Sequence, residues 1–142
     1  MQKFDFKDPD IVQRMVAEST LAFAFLTKMP IVPGHTLICP KQPIATSGEL
    51  TVEIWKDLLT LKEAVCAKLM KIFHTKGFNF SWNEGSIAGQ TVPHFHLHVV
   101  PRKETDMGIT EYEPRVFLYR PGSRAESPMQ ELINLSKELR EC

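Results

Sequence analysis

The sequence predicts an α+β fold on a mainly antiparallel sheet, because short alternating apolar runs broken by turn residues flank one long amphipathic stretch. With 142 residues one hydrophobic core suffices, and the chain reads as one domain over 1–142 in which 103–142 is a C-terminal extension. No internal repeat and no low-complexity tract divides it.

Taken in order, Asp8-Pro9 forms an N-cap and first-turn pair for a short helix through about Ala17. Leu21 to Thr27 alternates large and small side chains, with Phe23 and Phe25 on one face, and Thr36 to Cys39 is a second apolar run. Pro30, Pro33 and Gly34 lie between them, so the two runs read as a hairpin-like pair of strands. Next, Ile54, Leu58, Leu61, Val65, Leu69 and Ile72 recur at helical spacing after the N-cap Thr51, predicting a long helix that stops at Gly77. Phe78, Phe80 and Trp82 alternate with small or polar residues as in a strand with one aromatic face. Residues 83–90 are a loop, Thr91 to Pro101 a further strand, and Arg115 to Tyr119 a short one. A last helix opens at Ser127-Pro128, with Gln130 completing a capping-box pattern ahead of Leu132, Ile133, Leu135 and Leu139.

Composition narrows the function. Seventeen basic side chains balance seventeen acidic ones, so no overall positive field exists to collect a long nucleic acid. The apolar runs are too short to span a membrane, and the first ten residues hold charges rather than the core of a secretory signal. Cys39, Cys66 and Cys142 are an odd, scattered set without a C-x-x-C pair, as expected of free thiols in the cytoplasm.

The chemistry concentrates in Pro93-His94-Phe95-His96-Leu97-His98-Val99-Val100. On a strand, a step of two puts three imidazoles on one face and Phe95, Leu97 and Val99 on the other. His74, isolated, reads as an ordinary surface histidine. Two functions suit the trio. A metal site meets a difficulty of reach, because the outer two side chains start about 13 Å apart against bonds of about 2 Å. No carboxylate or thiol between Gly85 and Pro101 completes such a site. Phosphate chemistry meets no such difficulty: a neutral imidazole can attack phosphorus, and a second can assist the leaving group. His96 has a partner on each side and is the natural nucleophile. Just before it, Gly85, Ser86, Gly89, Gln90 and Thr91 form a donor-rich loop able to hold phosphoryl oxygens.

These residues resemble the histidine triad (HIT) superfamily of nucleotide hydrolases and transferases, whose signature His-φ-His-φ-His-φ-φ (φ apolar) is matched at every position by His94 to Val100. Two further blocks match in order: Ala24 to Lys41, containing Met29-Pro30-Ile31-Val32-Pro33-Gly34-His35, and Gly89-Gln90-Thr91-Val92, with Pro101-Arg102 closing the motif. The resemblance implies a HIT-like α+β fold, commonly a homodimer, and a covalent nucleotidyl-histidine mechanism. It assigns His96 as nucleophile, His98 to the phosphate and leaving group, and His94 and His35 as their supports. Gly89, Gln90, Thr91 and Asn83 match contacts to the phosphates and leaving group, and Phe25, Leu26 and Leu37 fall where the family lines its base pocket. At the ribose position, where the family carries Asp or Asn, stands Thr27, whose single hydroxyl cannot accept both hydrogen bonds of a diol.

Because the triad ends in His98 rather than Gln, the resemblance favours hydrolysis over transfer. The expectation is a cytoplasmic hydrolase that cuts a dinucleoside polyphosphate or nucleoside phosphoramidate at the α-phosphate and releases a nucleoside monophosphate. No cofactor is required and no protein-bound metal is assigned, although a divalent cation can accompany a polyphosphate substrate. The alternative is a mononucleotide-binding module without turnover on the same fold.

Overall fold

The computed structural model describes residues 3–104, 106 and 126–142. Five strands form one antiparallel sheet in the order β1-β2-β3-β5-β4: β1 (Met15–Glu18), β2 (Ala22–Leu26), β3 (Thr36–Pro40), β4 (Gly77–Ser81) and β5 (Leu97–Arg102). Three helices accompany it among the described residues: α1 (Pro9–Val12), α2 (Val52–Phe73) and α3 (Met129–Arg140).

Strand parity sorts the core into two layers. Ala22, Ala24, Leu26, Ile38, Leu97 and Val99 face α2 and α3. Phe23, Phe25, Leu37 and Cys39 face the other way, under Ile11 and the N-terminal Phe4 and Phe6. From α2, Leu58, Val65 and Leu69 are fully buried against the first face, each stabilising the fold by about 1.5–3 kcal/mol. The end of the C-terminal extension belongs to that core, because Leu132 and Leu139 of α3 join the same cluster. No helix among the described residues is long and apolar enough to cross a membrane.

Several elements differ from expectation at their ends. Asp8 caps α1 as predicted, accepting from the Asp10 amide, but the helix lasts one turn and Met15–Glu18 is a strand. Pairing of Met15 with Phe25 and burial of Val16 outweigh a weak helical pattern. Thr51 caps α2 through a 3.2 Å hydrogen bond from the Ile54 amide, yet the helix ends at His74 in the left-handed region (φ 55°), not at Gly77. The α3 cap is Pro128, one residue later than expected, and the expected strand Arg115 to Tyr119 lies outside the described residues.

The strand expected from Thr91 begins only at Leu97. Its ladder with β3 ends at the pair Ile38–Leu97, since the next partner in register for Phe95 would be Pro40, which has no N–H to give. The Phe95 amide turns instead to the Ile44 carbonyl, at 2.6 Å. His94 and His96 therefore sit on an irregular segment, and only His98 is a strand residue.

Candidate active site

The hydrogen bonds around the histidines assign one tautomer to each ring. A backbone amide can only donate, so the Ile31 N–H at 3.0 Å makes His35 Nδ1 an acceptor and places the proton of neutral His35 on Nε2. That N–H donates to His98 Nδ1 at 2.9 Å, which puts the proton of neutral His98 on Nε2. By the same logic the Phe4 amide donates to His94 Nδ1 at 3.2 Å, and His94 Nε2–H donates to the Pro40 carbonyl at 2.8 Å. His96 Nδ1–H donates to the His94 carbonyl at 2.8 Å, so its basic nitrogen is Nε2. The His96 and His98 ring centroids lie 5.0 Å apart.

Burial pushes the imidazolium forms of His94 and His96 down from the usual 6.5, against the opposing pull of the carbonyls they bond. The result is a neutral His96 with a lone pair on Nε2 near neutral pH, the form a nucleophile needs.

His96 and His98 line a cavity of about 310 Å³ shared with Phe25, Thr27, Leu37 and Asn83. His35, Gly89 and Thr91 also reach it. Sheet register explains the layout: Phe25 pairs with Leu37, Leu37 with His98, and His98 with Ser81, so one row across the sheet runs from apolar to polar. His94 is wholly buried, and its backbone carbonyl accepts the hydrogen bond from His96 Nδ1–H.

Two predicted contacts stand elsewhere. Leu26 lies on the helix-facing side of β2, because parity sends it opposite Phe25, and it packs in the core rather than the pocket. Gln90 is buried with both ends of its amide engaged, its Oε1 accepting from the Gly85 amide and its Nε2 donating to the Ala45 carbonyl, each at 2.8 Å. Gln90 thus holds the loop closed across Gly85 and Gly89, whose positive φ values of 87° and 95° suit glycine. Thr27 lines the pocket, and its hydroxyl accepts from the Met29 amide at 3.2 Å.

The N-terminal segment supplies groups the sequence reading did not assign. The Phe4 ring meets Phe25 edge-on at 5.2 Å and His96 at 5.4 Å. Arg14 is buried with its guanidinium 5.3 Å from the Phe25 ring centre and donates to the Leu26 carbonyl. Asp10 pairs with Arg14 at 3.2 Å and with Lys28 at 2.8 Å beside Thr27, and the Lys28 hydrogen bond draws its carboxyl below the usual range. The one signal for this segment was the step of two between Phe4 and Phe6 amid charged neighbours, an extended amphipathic pattern.

Residues 8–105 match the HIT domain model. A bis(5'-adenosyl)-triphosphatase of Dictyostelium discoideum is 32% identical over 120 residues, covering 84% of this chain and 78% of that protein. An adenosine 5'-monophosphoramidase of Schizosaccharomyces pombe is 35% identical over 100 residues, 70% of this chain and 72% of its own. Among solved structures, a hypothetical histidine triad nucleotide-binding protein from Sulfolobus tokodaii superposes with a TM-score of 0.73 at 26% identity, over 90% of this chain and 81% of that one. The triad, the antiparallel sheet beside it and these matches agree: the chain belongs to the HIT domain family.

Proposed function

We propose that this protein is a nucleotidyl hydrolase that acts at the α-phosphate of a nucleotide conjugate and releases a nucleoside monophosphate. The observation that carries the reading is the tautomer chain: His96, which lines the pocket, is held with Nδ1–H on the His94 carbonyl, so its free lone pair is on Nε2. Relatives named as a triphosphatase and a monophosphoramidase support the same class of substrate. In the first step His96 Nε2 bonds to the α-phosphorus while the bond to the leaving group breaks; His98 Nε2–H hydrogen-bonds the departing atom, which leaves as a phosphate anion from a polyphosphate or takes up a solvent proton and leaves as an amine from a phosphoramidate. Water then displaces the imidazole, the N–P bond breaks, one water proton passes to solvent, and the monophosphate leaves. The base rests on Phe25 and Leu37, and Asn83, Gly89 and Thr91 surround the phosphates.

The same reading includes a homodimer and a cytoplasmic setting. Among the described residues β4 is an edge strand, and Phe80 on it and Leu59 on the adjoining face of α2 are about half exposed, which suits a second copy joining edge to edge. Cys39, Cys66 and Cys142 are free thiols, and burial pushes Cys66 up to about 11, which suits a reducing compartment.

The test is product analysis by chromatography on diadenosine triphosphate and adenosine phosphoramidate, with wild type and His96→Asn side by side. AMP release by wild type that falls at least a thousandfold in His96→Asn is expected. Equal activity of the variant overturns the mechanism, and thermal stabilisation by AMP without turnover overturns the hydrolase in favour of a binding module.

A further inference from the structure

Ser81 carries the one buried side-chain oxygen or nitrogen that meets no hydrogen-bond partner among the described residues. A buried hydroxyl left unsatisfied is costly, and an alanine there would spare the fold that cost, so the position calls for an explanation outside the fold. Its surroundings supply one. Ser81 ends β4 directly opposite His98, lines the same cavity, and lies two residues from Asn83. Side chains paired in this way start about 5 Å apart, so the hydroxyl and the His98 ring border the same small space.

The row across the sheet indicates what fills that space. It begins at Phe25 and Leu37, apolar and suited to a base, and ends at His98 and Ser81. Three strand spacings separate its ends, about 14 Å, enough for a nucleoside monophosphate laid across the strands with its base at the apolar end. The polar end then holds phosphoryl oxygens, which accept hydrogen bonds and do not donate them when ionised. His98 offers Nε2–H there, and a serine hydroxyl offers a second donor.

We propose that Ser81 is a substrate-binding residue whose hydroxyl donates to a phosphoryl oxygen of the nucleotide beside His98. The proposal rests on the nucleotide reading above. It makes Ser81 a contact for the phosphate and not for the base or the ribose, and it accounts for an orphaned polar atom that the fold alone leaves without a role.

The experiment is calorimetric titration of wild type and Ser81→Ala with AMP and with adenosine, together with thermal melting of both proteins and AMP release from diadenosine triphosphate. Losing a donor to a charged oxygen weakens AMP binding by about 10- to 100-fold. Adenosine affinity stays within twofold, and the melting temperature does not fall. Turnover of diadenosine triphosphate drops by a similar factor in kcat/KM. Equal AMP affinity in the two proteins overturns the assignment while leaving the nucleotide site standing. Equal losses for AMP and adenosine, or a lower melting temperature, show a structural role and also overturn it. Failure of wild type to bind AMP or adenosine removes the nucleotide reading, and this proposal with it.

Discussion

The proposed nucleophile, His96, has to be neutral, and burial keeps it so while the His94 carbonyl fixes its proton on Nδ1. Two consequences in pH follow. The acidic limb of kcat/KM has its midpoint below the ordinary imidazole value of 6.5, because the folded protein resists protonating His96. A midpoint at or above that value would show that burial does not control the group. The sign for stability is the same: below about pH 6.5 the unfolded chain binds protons at His94 and His96 that the folded chain does not yet accept. Stability therefore falls as pH drops through that window, by up to about 1.4 kcal/mol per pH unit for each group, and levels off below their lowered folded values. Urea titrations between about pH 7 and 5 check it, and a slope unchanged in His96→Asn would refute the assignment. At this scale His94, His96 and His98 were legible because imidazole is scarce and their spacing is regular, whereas His35 was reached only through the family resemblance of the block Ala24 to Lys41. Phe4 and Arg14 were not, since a lone aromatic and a lone arginine resemble ordinary surface residues until the chain folds over them.

The element that positions His35 is the turn between β2 and β3, and α2 reaches it. Gly34 has φ +93°, and a Cβ there would lie 2.7 Å from Cε2 of Phe73 and 3.1 Å from Cδ2 of Leu69. Gly34→Ala therefore meets both backbone strain and a collision with the last turns of α2, and destabilisation of about 2 kcal/mol is expected in urea unfolding. Because His35 is the next residue and donates to His98, kcat/KM should fall as well. Stability within 0.5 kcal/mol of wild type would mean that the α2 contact yields freely. Element type was readable from periodicity in α2, β2 and β3, where six or more positions agree or turn residues bracket the run. Ends were less so, because they depend on partners. β5 starts late because Pro40 on the neighbouring strand has no N–H, and α2 stops early because His74 takes a left-handed conformation more often given to glycine.

For the whole molecule, the sheet has two edges, and they are treated differently. β1 is braced by α3, through contacts with that helix and a hydrogen bond from Arg140 to the Met15 carbonyl. β4, at the other edge, pairs only with β5 among the described residues. Apolar side chains gather near it: Phe80 is 43% and Leu59 47% exposed, and Lys62 lies 4.5 Å from the Phe80 ring centre, which places the α2 face beside the strand. An edge strand flanked by such groups invites another strand, and a second copy offers the same edge and the same patch in a two-fold arrangement. Sedimentation at tens of micromolar should show a dimer of about 32 kDa for the 16.2 kDa chain. Leu59→Glu and Phe80→Glu, each removing apolar contact from an exposed position, should shift the mass to monomer while the far-ultraviolet spectrum is retained. A wild-type monomer, or variants that stay dimeric, would refute the edge-to-edge assembly. AMP release tells whether the assembly matters to the site: the hydrogen bonds that set the tautomers of the four histidines among the described residues need no second copy, so the monomeric variants should keep the proposed His96-dependent reaction.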